Sequence, residues 1–325
     1  MIQIRRRSLP TLAAVGVFLL AYALCAAQFP AMLSLRVAGD LLTDNACLGL
    51  LAVGMTVVVV SGGVDLSVGA VVAFTGVFLA VAIGHGVPAP LAFALAVVIS
   101  TGFGALVGGA IHLLKAPPFI VTLTAMFLAR GACFLLTTES IPVHDPLYDR
   151  LAGFALALPG GGRLTLLALV MLAGFGLGGL LLHATRFGAS VFAVGGDRRS
   201  AELMGAPIGR TTVLVYAFSG LMAGLAGIVF SLYTQAGYSL ATVGVELDAI
   251  AAVVIGGALL SGGAGGMLGS LFGVLIQGLI LTYITFDGSL SSWWARIVIG
   301  ALLFVFIGLQ KLIMAGSAAR PAGTP

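Results

Sequence analysis

From Ala89 to Leu113 the chain runs without one Asp, Glu, Lys or Arg, and Thr212–Leu232 does the same. A helix needs about 20 apolar residues to cross the hydrocarbon core of a bilayer. Runs of this kind leave few folds open, because in lipid every backbone N–H and C=O must find its partner within the protein. Charged residues make up 8% of the 325 and apolar ones 60%, whereas a soluble domain carries about 25% charged residues. Such a chain cannot clothe a water-facing surface. A membrane β-barrel would show short alternating segments, which the unbroken runs exclude. The expectation is an all-α integral membrane protein with one transmembrane domain over residues 1–325.

Ten spans fit the pattern: Leu9–Phe29, Ala46–Val60, Leu66–Gly84, Ala89–Leu113, Phe119–Leu136, Leu164–His183, Thr212–Leu232, Ala249–Leu260, Met267–Thr285 and Trp294–Leu312. The opening MIQIRRRSLP has the look of a secretory leader. The apolar run after it exceeds the roughly 7–15 residues of a leader's core, so an uncleaved first span is expected. With Arg5, Arg6 and Arg7 inside, ten of the 15 basic residues fall on that side: those three, Lys115, Arg186, Arg198, Arg199, Arg210, Lys311 and Arg320. The bias of Lys and Arg toward cytoplasmic loops then accounts for the net charge of +4 without any nucleic-acid partner. Both termini are expected in the cytoplasm. The loop Thr137–Arg163 is expected outside as an ordered or semi-ordered cap, and residues 314–325 as a disordered tail.

No enzyme signature is present. The two lysines, Lys115 and Lys311, lie outside any G-x-x-x-x-G-K-[ST] pattern, so the chain has no P-loop with which to bind ATP. His85, His112, His144 and His183 lack metal spacing. Cys25, Cys47 and Cys133 are dispersed in apolar segments and read as structural thiols. No catalytic residue, metal site or cofactor of its own is expected.

Two of the ten spans are short, and each runs into a Gly-rich break: Ser61-Gly62-Gly63 and Ser261-Gly262-Gly263. In transporters, short or Gly-interrupted segments line the substrate site, because irregular backbone is tolerated only beside protein or water. Asp65 follows the first break as a helix N-cap, as a polar gate residue, or as both. Asp44-Asn45 and Asp248 also begin spans and read as N-caps. The candidate gate and path residues are Asn45, Gly62, Gly63, Asp65, Gly262, Gly263 and Gln277.

Between the sixth and seventh spans lies the polar segment Thr185–Arg210. Asp197 is suited to cap a short helix, Arg198–Met204, which Gly205 would end and Pro207 would keep from resuming. Seven residues are too few for a helix to stand alone in water, so this one needs a surface to dock on. Ala201 and Met204 share a face at i, i+3 spacing, an apolar surface fitted to a groove on a partner. The alternative is a linker helix packed on its own subunit.

Leu42–Val77 and Thr185–Phe230, with Lys115–Gly131 and Val243–Leu279, resemble the permease subunits of bacterial ABC importers for monosaccharides, the ribose/xylose/galactofuranose group. The likeness runs from Gln28 to about Gln310. The stretches FSLYTQAGYSLATVGVELDAIAAVVIGG and TYITFDGSLSSWW are most similar to the galactofuranose branch. The resemblance implies an ABC importer permease fold with broken spans, multi-pass in the bacterial inner membrane and working by alternating access. It implies four partners besides the lipid bilayer: an ATPase subunit that uses the ATP, a second permease chain, a periplasmic sugar-binding protein and a monosaccharide, galactofuranose or a related sugar. It also places the ATPase-coupling segment at Gly196–Ile208, with Gly196, Asp197, Ala201, Glu202, Met204, Gly205 and Ile208 as the docking residues. Of the fuller EAA–G–LP signature of other importers only Ala201-Glu202 and Gly205 are present. Asn45, Thr56, Gln235, Tyr238, Glu246, Gln277 and Tyr283 are of types that bind sugar hydroxyls, and equally of types that bond neighbouring helices.

Two transport readings remain beside this one. The first is a permease for another solute, such as branched-chain amino acids. The second is a secondary transporter, which would need an embedded titratable relay that the mid-span regions hardly offer. A membrane anchor without transport would not need the broken spans.

Overall fold

The computed structural model describes residues 9–291 and 293–318, with side chains described for 10–291 and 293–308. Arg5-Arg6-Arg7, Arg320 and the part of the expected tail beyond Ala318 lie outside the described residues. Residues 314–318, where that tail was expected to begin, are instead the end of the last helix.

Fourteen α-helices form the described chain. They are α1 (Leu9–Gln28), α2 (Leu35–Asp44), α3 (Ala46–Val60), α4 (Val68–Gly84), α5 (Ala89–Leu114), α6 (Pro118–Leu136), α7 (Pro146–Gly153) and α8 (Leu166–Ala184), followed by α9 (Arg186–Gly196), α10 (Arg198–Leu203), α11 (Ile208–Thr234), α12 (Val245–Ile255), α13 (Met267–Asp287) and α14 (Trp293–Ala318). Helix α3 is the axis of the bundle. It is apolar all round, and all but two of its residues, Cys47 and Leu48, are buried; a helix without a polar face belongs in a core. Around it pack α11, α12, α8, α13 and α9.

Small residues let the helices close up. A methyl group on Gly104 would stand 3.1 Å from the Gly220 Cα, and one on Gly220 would stand equally close to the Gly104 Cα. Helices α5 and α11 therefore meet backbone to backbone, the small-residue packing characteristic of membrane helices.

Each of the ten expected spans is represented by a helix, but ten full crossings are not. Six helices (α1, α5, α6, α8, α11 and α13) are long and apolar enough to cross alone, and α2 with α3 makes a seventh span bent by 57°. Helix α4 and the described apolar part of α14 are shorter, and α12 has 11 residues, about 16 Å of helix. The eighth span was expected at Ala249–Leu260. It starts and stops earlier because Gly244 (φ +88°) and Gly257 (φ +96°) take left-handed conformations at its two ends. The third begins at Val68 rather than Leu66, since Asp65–Ser67 form a turn first. The amphipathic α2, with its Arg36–Asp40 ion pair, was not foreseen.

The segment Thr137–Arg163 is folded. Its strand β1 (Ile141–Pro142) pairs antiparallel with β4 (Ala236–Gly237), and β2 (Ala155–Ala157) with β3 (Arg163–Thr165). Asp145 caps α7 by accepting from the Leu147 amide at 2.8 Å. The buried Tyr148 hydroxyl meets Ser231 Oγ of α11 at 3.1 Å. This cap sits at the end of the bundle opposite the two Gly-rich breaks.

Candidate functional site

Helix α9 leaves α8 at a tight corner, where Thr185 Oγ1 accepts from the Gly188 amide at 3.2 Å. Asp197 then turns the chain into extended backbone and caps α10, its carboxylate accepting from the Ser200 amide at 2.7 Å. That hydrogen bond, with others from Ser200 and Arg199, holds the Asp197 carboxyl below its ordinary pKa. Gly205 (φ +78°) ends the helix, and the Ala206 amide returns to the Ala201 carbonyl at 3.0 Å. Cap and stop thus stand where the sequence placed them, although α10 closes at Leu203, one residue early.

The face of α10 differs from expectation. Ala201 is 0% exposed and packs within its own chain against Val194 and Ile208. It is not a docking residue for a partner. The outward apolar pair is Leu203, 83% exposed, and Met204, 76% exposed, flanked by the exposed Glu202 and Gly205. Ile208 is buried at the start of α11, so of the expected docking set Gly196, Asp197, Glu202, Met204 and Gly205 lie on the surface and Ala201 and Ile208 do not. Leu203 was missed. Its signal was its place beside Met204 in an otherwise polar segment.

Directly behind α10, three Gly-rich segments meet. The Gly263 amide donates to the Val60 carbonyl at 2.8 Å, satisfying one of the carbonyls that α3 leaves open at its C-terminus. A methyl group on Gly262 would stand 2.8 Å from the Gly62 Cα, one on Gly263 2.8 Å from the Gly196 Cα, and one on Gly195 2.8 Å from the Gly263 amide nitrogen. Gly62, Gly262 and Gly263 also have positive φ. The two SGG breaks are therefore parts of one junction, and the third strand of that junction is the Gly195-Gly196 lead into α10. No signal in the sequence marked Gly195.

Next to the junction, Asp65 is 2% exposed. It accepts from the Ser67 amide at 2.9 Å, from Ser67 Oγ at 2.6 Å and from Ser219 Oγ of α11 at 2.7 Å. Tyr216 Oη and Thr122 Oγ1 each donate to the neighbouring Val64 carbonyl at 3.3 Å. Asp65 thus forms a local turn before α4 and ties it to α11. It is neither the N-cap, which is Ser67, nor a side chain open to a path.

Asn45 and Gln277 lie at the other end of the bundle. Asn45 occupies the N-cap position of α3 but does not cap it; its Nδ2 donates back to the Leu41 carbonyl at 2.8 Å. Its amide rests against Gly278 of α13. Gln277 Nε2 donates to the Asp248 carbonyl at 3.0 Å. Asp248 sits one turn inside α12, whose N-cap is Gly244. Of the remaining candidate sugar contacts, Thr56 bonds Ser270 Oγ at 2.7 Å inside the core, Tyr283 bonds Gln28 Oε1 at 3.1 Å and Gln235 bonds Asp149 at 3.4 Å. These three are engaged between elements.

A cavity of about 900 Å³ opens beside the junction between α1, α8 and α13. Its lining is apolar and glycine-rich, with His183 and Thr11 the main polar side chains, so it offers little to a polyol.

This is the architecture of a multi-pass membrane permease: broken apolar helices around a buried axis, with a polar hairpin set against a tightly packed Gly-rich junction. The chain belongs to the family described as branched-chain amino acid transport system / permease component, whose model matches residues 37–307. It is 58% identical to the inner membrane ABC transporter permease protein YjfF of Escherichia coli K12, over 94% of this chain and 93% of that one. It is 38% identical to the fructose import permease protein FruG of Bifidobacterium longum, over 95% and 93% of the two chains. Against the ribose import permease protein RbsC of Escherichia coli K12 the figures are 34%, 84% and 85%. The family is one of transport subunits, not of enzymes. No solved structure matches the chain.

Proposed function

We propose that the chain is the membrane-spanning subunit of an ATP-driven importer that passes a monosaccharide, galactofuranose or a close relative, across the bacterial inner membrane. The observation that carries this reading is the junction. A surface hairpin ending in two exposed apolar side chains, Leu203 and Met204, is joined by bare backbone contact to the end of the central helix and to the break after α12. A push on α10 has a short route into the core.

An ATPase subunit supplies that push by closing on ATP, and the spans on either side of the junction shift so that the path opens on the other face. The chain itself, lacking a P-loop, takes no part in hydrolysis. Coupling requires that the ATPase bind the two conformations with different affinity. A second permease chain completes the path, and a periplasmic sugar-binding protein delivers the substrate and sets most of the selectivity. FruG and RbsC are named as import permeases for fructose and ribose, which favours a sugar over the amino acids in the family's description.

The test is reconstitution of the chain with its ATPase, second permease and binding protein in proteoliposomes. ATP-dependent uptake of radiolabelled galactofuranose, ribose, fructose and leucine is then measured. Sugar accumulation that stops without the ATPase is expected. Accumulation of leucine and of no sugar would overturn the assignment.

A further inference from the structure

At the end of the bundle away from α10, a cavity of about 210 Å³ lies between the α2–α3 bend, the end of α11, the start of α12 and α13. We propose that it is a monosaccharide contact site belonging to the permease itself, a station for the sugar after the binding protein releases it. The proposal rests on the sugar-import reading above.

The chemistry of the lining makes the argument. Asn45 is 6% exposed and lines the cavity; its amide nitrogen is used on Leu41, and among the described residues its amide oxygen receives no hydrogen bond. Asp248 lines the same space, and among the described residues its carboxylate likewise receives no hydrogen bond. Among the described residues, Asp44 receives only the Tyr233 hydroxyl, at 3.1 Å. Ionised carboxylates and amide oxygens are acceptors, so the complement is a molecule rich in donors. The two carboxylates disfavour an anion. A polyol meets these conditions, and the Phe230 and Tyr233 rings on the wall suit its C–H face.

Size agrees: the space equals roughly seven waters of liquid volume, enough for one sugar ring. Position agrees too, since discontinuous helices mark transporter substrate sites, and both the bend of the α2–α3 pair and the start of the short α12 lie here. A transit site must hold its ligand weakly enough to let it go, so millimolar affinity is expected.

Two readouts on the assembled transporter test this. Maximal sugar uptake in proteoliposomes should fall about tenfold in Asp248→Ala, the order expected for losing a charged acceptor. ATPase stimulation by the loaded binding protein and assembly with the partner chains should stay at wild-type levels. Saturation-transfer NMR of the purified complex without binding protein should detect D-galactose and D-ribose in wild type, lose both in Asp248→Ala, and detect no L-leucine. Glu139→Gln, in the outer cap, should match wild type in both. Should Asp248→Ala fail to assemble, Tyr233→Phe, which removes one hydroxyl, takes its place in the same two measurements. Normal uptake together with unchanged NMR signals in the assembled variant overturns the site while leaving the importer intact. A wild-type complex that imports no monosaccharide overturns the importer reading, and the site with it.

Discussion

The amide of Gly263 hydrogen-bonds the carbonyl of Val60 at 2.8 Å, so the break after α12 hangs from the last turn of the central helix. Gly195 presses on the same carbonyl, and any side chain there would strike it. Gly195→Val must therefore force the hairpin away from α3. Overpacking of a tight contact costs about 1–3 kcal/mol. The expected result is a complex that assembles and hydrolyses ATP but whose sugar uptake is lost, seen by measuring both rates on one preparation. Wild-type uptake in Gly195→Val would mean that the junction transmits nothing.

The outward pair on α10 makes a second prediction. Leu203→Glu puts a charge where a partner's groove is proposed, at a side chain that is 83% exposed in its own chain. An unpaired buried charge costs several kcal/mol, and 1.4 kcal/mol is already tenfold in binding. Membrane insertion and expression should be unchanged, while co-purification of the ATPase subunit should disappear. Ala201→Glu should behave differently: it buries a charge against Val194 and Ile208 and should lower expression as well. Equal behaviour of the two variants would remove the distinction between the faces.

Asp65 and Ser219 form the tie between the first break and α11. Asp65→Ala strands the Ser67 and Ser219 donors in the core, and an unsatisfied buried donor costs about 1–3 kcal/mol. Ser219→Ala removes only one of three bonds to the carboxylate. A thermal-stability series in detergent should rank wild type, Ser219→Ala and Asp65→Ala in descending order, and the double variant should fall no lower than Asp65→Ala, as coupled partners require. Additive losses would show that the two side chains act independently.

Much of this was legible in the sequence because it is local. Asp197 as cap and Gly205 as stop depend on backbone within a few residues, and the apolar runs follow from the bilayer alone. The errors came where tertiary contact decides. Ala201 and Met204 share a face by spacing, yet Val194 and Ile208 claim Ala201 for the hairpin's own interior. Asn45 has the type and place of an N-cap, but the neighbouring Gly278 and the Leu41 carbonyl give its amide other work. The junction unites Gly62, Gly195 and Gly262, and no local pattern could show that segments so far apart share one point. The matching SGG breaks hinted at a relation without revealing that they touch.

Orientation can be read chemically. Cysteines placed at 145 and at 198 in a background lacking Cys25, Cys47 and Cys133 should differ toward an impermeant maleimide added to spheroplasts. Position 145, in the folded cap, should label, and position 198, at the head of α10, should label only after permeabilisation. The reverse result would invert the protein in the membrane and place α10 out of reach of any cytoplasmic ATPase.

The cap of α10 should also give the hairpin a pH limit. Asp197 is held below its ordinary pKa by the Ser200 amide, so its ionised form binds the folded helix better than the unfolded segment. Its contribution is therefore complete above the ordinary carboxylate pKa and is lost as pH falls through the lowered value. Over the neutral range the hairpin should not respond to pH at all. Hydrogen exchange at the Ser200 amide, corrected for intrinsic rates, should show constant protection down to the ordinary carboxylate pKa and a decline below it. Asp197→Asn, still a good N-cap, should keep most of the protection and abolish the decline, whereas Asp197→Ala should lose both the protection and ATPase co-purification. A decline that persists in Asp197→Asn would mean that another group titrates, and Asp197 would then be a cap without being the source of the pH dependence.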